Sequence, residues 1–156
     1  MKRILFILFS IAIGTLQASA DEDVFKKFAN DPNVTYINVS KSVFKMMSSN
    51  FTVGEFDFGE FIELDNIRML TCENDTLQPQ IKKACEVFQK APYEEFLDVK
   101  DENEKVSIYI IPSSDGKRIK EMILLLEELP DGDLTLIQLV GNMTIEELQS
   151  FTKDSD

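Results

Sequence analysis

Histidine and tryptophan are absent from the 156 residues, and cysteine occurs only twice. Without histidine the commonest general base and metal ligand is missing, so neither a Ser-His-Asp nor a Cys-His arrangement can be assembled. The six glycines are scattered through the N-terminal run and the turns, and no glycine-rich phosphate loop follows a strand. Basic residues are scarce: 16 Lys and Arg stand against 28 Asp and Glu, a net charge of −12. That balance supplies no basic face for nucleic-acid phosphates and disfavours anionic lipid surfaces. Its plain role is to keep the protein soluble. Acids that lie close in sequence, such as Asp98, Asp101 and Glu102 or Asp131 and Asp133, lack the ordered spacing of a calcium loop and read as solvated turns. The expectation is a protein with no catalytic residues, no cofactor and no metal.

What is present starts with an export pattern. Lys2 and Arg3 precede an almost unbroken apolar run, Ile4 to Gly14, and Ala18-Ser-Ala20 offers a small-residue cleavage site. This predicts a secretory signal peptide over residues 1–20, cut near Ala20–Asp21, and a periplasmic or extracellular protein. The run is shorter than the roughly 20 residues a spanning helix needs, so no transmembrane segment is expected in the processed chain. Removing residues 1–20 takes Lys2 and Arg3 and no acid, so the charge falls from −12 to −14. Residues 21–152 suit one domain with a real core, and residues 153–156 read as a frayed tail.

The clearest stretch is Lys105–Phe151. Three apolar runs, Val106–Ile111, Ile119–Leu126 and Leu134–Val140, are separated by Asp115-Gly116 and Asp131-Gly132. Asp-Gly favours the positive-φ geometry of tight reversals, which predicts an antiparallel meander. Ile119, Met122, Ile123 and Leu126 also fall at helical spacing, but a helix there would split the flanking strands, so strand is preferred. Thr144-Ile-Glu-Glu147 is a capping box opening a short final helix with Ile145, Leu148 and Phe151 on its apolar face.

Upstream, Val24, Phe25 and Phe28 predict a short helix after Asp21-Glu-Asp23. Val34–Val39 predicts a strand, and Ser40 caps a second helix carrying Val43, Phe44 and Met47. Ile62–Cys72 is a strand interrupted at Asp65-Asn66; Leu77, Ile81, Ala84, Cys85 and Phe88 give a helix over about 77–90. Tyr93–Val99 is a further strand, joined to the meander by a charged connection. The fold class expected is α+β: a two-layer sandwich whose antiparallel-rich sheet, with a three- to four-stranded C-terminal meander, carries helices on one face.

Two features are candidates for function. Residues 48–61 bring Phe51, Phe56, Phe58 and Phe61 together with two glycines, either as a loop pinned to the core or as a lid or binding edge. Cys72 and Cys85 can pair as a disulfide in an exported protein or sit as free core thiols. They lack the C-x-x-C spacing of a reactive redox pair.

Several segments form a recognisable set: Asp21-Glu-Asp-Val-Phe-Lys-Lys-Phe28, Val34–Val39 running into Ser40-Lys-Ser-Val-Phe-Lys-Met-Met47, and Ile67-Arg-Met-Leu-Thr-Cys72. Tyr93-Glu-Glu-Phe-Leu97 and Leu136-Ile-Gln-Leu-Val-Gly-Asn-Met-Thr-Ile-Glu-Glu-Leu148 complete it. Together they resemble the exported bacterial family called domain of unknown function 4252, over nearly the whole processed chain. The resemblance implies an envelope protein of Bacteroidetes-type Gram-negative bacteria, often encoded near extracytoplasmic-function sigma factors, with no catalytic residues to carry over. Many relatives look like lipoproteins, whereas the lipobox cysteine is lacking at the processing site here. The expected function is non-enzymatic contact with an unknown protein partner, linked to a sigma-factor response. The alternative is a small carrier or binding protein for an apolar ligand under the Phe51–Phe61 loop.

Overall fold

The computed structural model describes residues 23–47, 51–53, 56–59, 61 and 63–153. The expected signal peptide and residues 154–156 lie outside them. The chain runs α1 (Val24–Phe28), β1 (Val34–Ser40), α2 (Lys41–Met46), β2 (Thr52–Val53), β3 (Phe56–Asp57), β4 (Leu64–Cys72) and α3 (Gln78–Ala84). A 3₁₀ turn, Cys85–Gln89, extends α3. Then come β5 (Glu94–Lys100), β6 (Glu104–Pro112), β7 (Ile119–Glu128), β8 (Leu134–Met143) and α4 (Ile145–Lys153).

Six strands form one antiparallel sheet in the order β1-β4-β8-β7-β6-β5. The meander therefore has four consecutive strands, with β4 and β1 added at its far side. Ile119–Leu126 is strand, as hairpin punctuation required: Leu124 pairs with Ile108 on one side and Ile137 on the other. Helical spacing loses here because β7 gains two ladders and buries Met122 and Ile123 completely, on opposite sides of the sheet. Of the two Asp-Gly turns, only the first uses positive φ, at Gly116 (70°). Each hairpin closes over a longer loop, with Ser113 N–H donating to Arg118 C=O at 2.8 Å and Glu128 N–H to Asp133 C=O at 2.9 Å.

The fold is an α+β sandwich built on this antiparallel sheet. The helices, however, are shared between its faces rather than gathered on one. Along β8, Leu134 and Leu136 point to one side while Ile137 and Leu139 point to the other, and all four are essentially fully buried. A strand whose apolar side chains are buried on both sides needs cover on both faces. One face packs α1 and α3 through Phe25, Phe28, Ile81 and Phe88. The other packs α4 through Leu148 and Phe151, with α2 and the β2–β3 ribbon beside it.

Local chemistry sets the helix ends. Asp23 caps α1, its Oδ1 accepting from Phe25 N–H (3.1 Å) and Lys26 N–H (3.4 Å). A five-residue helix cannot stand alone, so α1 exists because Phe25 is sunk in the core. The expected helix over 77–90 divides into α3 and its 3₁₀ turn, with Pro79 in the first turn. At α4 the capping box closes as expected: Glu147 N–H donates to Thr144 Oγ1 (3.1 Å), and Thr144 N–H to Glu147 Oε2 (2.8 Å). Ile145 is 42% exposed, so the buried stripe of α4 is Leu148 and Phe151. Lys153 belongs to the helix, not to a frayed tail. Gly141 matters for packing: a Cβ there would lie 2.2 Å from the Glu63 carbonyl oxygen, where β8 passes the irregular start of β4.

Candidate functional site

The aromatic segment is a two-stranded ribbon rather than a free loop. Thr52 and Val53 pair with Asp57 and Phe56, and Phe58 N–H donates to Phe51 C=O at 2.8 Å. Residues 48–50, 54, 55 and 60 of this segment are outside the described residues. Three of the four candidate rings go inward: Phe56 (8% exposed), Phe58 (2%) and Phe61 (8%). Each meets the ring of Phe151 on α4, with centroids 5.9, 5.3 and 5.5 Å away. Phe51 lies farther out, half-buried between Phe58 (6.0 Å) and Phe44 of α2 (5.4 Å, edge to face).

Outside that cluster, between α2 and the ribbon, lies a cleft of about 440 Å³. Phe44, Phe51 and Phe58 form its apolar wall, and Lys41, Lys45 and Asp65 stand at its mouth. Lys41 Nζ meets Asp65 Oδ1 at 2.8 Å, a contact that raises the ammonium pKa. α2 buries none of its residues, and its end is conspicuously apolar: Met46 is 79% exposed and Met47 46%. Ser40 occupies the N-cap position without a side-chain capping bond, so α2 is held mainly by Val43 and Phe44.

The opposite face holds a second cleft, about 260 Å³, between α1 and the end of the 3₁₀ turn. A chain of polar side chains crosses its floor. Arg68 Nη1 donates to Asp23 Oδ2 (2.6 Å) and Arg68 Nε to Gln138 Oε1 (2.6 Å). Gln138 Nε2 and Tyr93 Oη both donate to Glu121 Oε1, each at 2.5 Å. The Arg68 guanidinium also lies 4.4 Å from the Phe25 ring centroid. Burial by itself pushes the Asp23 pKa up; the Arg68 hydrogen bond and charge, with the amides of Lys26 and Phe25, outweigh it and hold the carboxyl below its usual range. Arg68 and Gln138 lie in segments that carry the family resemblance, but no catalytic or ligand-binding motif singles out these two or Glu121. Their signal was a polar residue interrupting each central apolar run.

Cys72 and Cys85 lie in one core cluster, both buried and both free. The disulfide alternative is not what the structure carries. Burial, with the charge of Glu127, pushes the Cys85 thiol up to about 12, far from a reactive thiolate. Native protein should therefore be inert to a thiol reagent at pH 8 and release two equivalents on unfolding. Absence of both equivalents in denaturant would instead reveal a bond between them.

Among the described residues no group of three His, Cys, Asp or Glu could hold a metal ion, and no helix is long and apolar enough to cross a membrane. No curated protein and no solved structure matches the chain. A family model described as a domain of unknown function, DUF4252, matches residues 25–151, which run from the first turn of α1 to the Phe151 hub of α4. That span takes in the whole sheet, the first cleft, and the second cleft apart from Asp23 and Val24, and the chain belongs to the DUF4252 family.

Proposed function

We propose that this is an exported, non-enzymatic envelope protein that acts by contact with a partner protein, through the surface formed by α2 and the aromatic ribbon. The observation that carries the reading is the exposure of Met46 and Met47 beside the Phe44–Phe51 cleft. Neighbouring apolar side chains left in water, bordering a pocket that can take an anchor residue, have the anatomy of an interface. Methionine suits such a surface because its flexible, polarizable chain adapts to the partner. Burial of Phe56, Phe58 and Phe61 speaks against the carrier alternative: the space under the ribbon is filled by rings. The N-terminal export pattern supports the envelope location, and the family resemblance supports a link to a sigma-factor response.

A photo-crosslinking residue placed at Met46, in the native host, tests the contact. A discrete adduct is expected from position 46 and none from the exposed turn residue Lys117. The adduct should weaken on Phe44→Ala, and gene deletion should alter the neighbouring sigma regulon under envelope stress. Equal labelling from both positions would remove the contact surface, and an unchanged regulon would remove the sigma link.

A further inference from the structure

The cleft on the opposite face is independent of that contact surface, and its wiring leaves one group uncommitted. Glu121 uses a single carboxylate oxygen, Oε1, for both Tyr93 and Gln138. Its second oxygen has no partner among the described residues, although the side chain is half-buried and lines the cleft. The cation that lines the cleft, Arg68, is already committed to Asp23, Gln138 and the face of Phe25. Phe88 and Tyr93, packed edge to face with centroids 5.1 Å apart, form the adjoining aromatic wall.

We propose that this cleft binds a small organic cation bearing a primary ammonium group. The ammonium would donate to the second oxygen of Glu121, and its alkyl stem would lie against Phe88 and Tyr93. Three considerations select that chemistry. Asp23 and Glu121 against Arg68 leave the cleft one charge negative, and the surrounding −12 chain concentrates cations rather than anions at its surface. A desolvated ammonium beside aromatic faces gains cation–π attraction as well as the charge-assisted hydrogen bond. The volume of about 260 Å³ suits a ligand of a few heavy atoms and excludes a peptide or lipid body. A small carboxylate would have to displace Asp23 Oδ2 from Arg68, the cation that lines the cleft.

Amide chemical shifts of the ¹⁵N-labelled protein, titrated with butylammonium chloride and separately with sodium butyrate at matched ionic strength, decide the matter. Butylammonium should move the Tyr93, Glu121 and Gln138 amides saturably, with Kd on the order of 1 mM. Butyrate should leave them in place. Glu121→Gln keeps an acceptor oxygen for Tyr93 and should weaken butylammonium at least tenfold, by loss of the charge. No saturable shift, equal shifts from butyrate, or undiminished binding by E121Q would each overturn the site. Should E121Q fail to fold, the contrast between the two probes on the parent protein decides alone.

Discussion

Replacing Phe58 by alanine will destabilise the domain by about 3–5 kcal/mol, the range for emptying a buried aromatic site. The ring is 2% exposed and touches Phe51, Phe61 and Phe151, the last of these the centre of the ring cluster. No neighbouring side chain can relax into the hole without leaving its own partner, because the four rings of the cluster support one another. In urea the midpoint should fall with little change in slope, since the surface exposed on unfolding is nearly the same. Phe51→Ala is the control. It removes a half-buried ring at the cleft wall and should cost less than half as much. If Phe58→Ala left the midpoint unchanged, the ribbon would be a lid resting on the sheet, and the carrier reading would regain its ground.

That contrast shows where the sequence was readable. The four-stranded meander was legible because turn residues and apolar runs agreed about it, and the capping box at Thr144 because its two hydrogen bonds are local. The aromatic segment was ambiguous because a ring's spacing in sequence does not say which way it points. Its direction is set by Phe151, about 90 residues later. The sharing of helices between faces was written in the sequence but easily overlooked: Leu134-Thr-Leu-Ile-Gln-Leu-Val140 lacks the polar alternation of a strand wet on one side. The polar chain from Asp23 to Tyr93 was illegible for a different reason. Its members come from α1, β4, β8, β7 and the turn before β5, so their meeting is a product of strand order alone.

Arg68 is the joint of that chain, and Arg68→Met should cost about 2–4 kcal/mol. The lower part of the range reflects the partial exposure of the pair, 17% for Arg68 and 30% for Asp23, which lets water screen it. Methionine keeps much of the stem packing on Phe25, so the loss is chiefly of charge and hydrogen bonds. Asp23 would keep its cap of α1 but lose its counter-ion, and Gln138 Oε1 would lose its donor in a site only 7% exposed. The pH dependence separates this from a packing defect. The Asp23 pKa is lower in the folded protein than in the unfolded chain, where carboxyls titrate near about 4. Its contribution is therefore fully present above that value and is lost as pH falls through the lower, folded pKa. The stability gap between parent and Arg68→Met should accordingly narrow as pH falls from 7 toward 3, while the fading repulsion among the other acids affects both proteins alike. A gap that stayed constant with pH would mean that Arg68 acts through its bulk, with the Asp23 charge contributing nothing. Asp23→Asn supplies the remaining corner of the cycle: added to Arg68→Met, it should cost less than it does in the parent, by the coupling between the two charges.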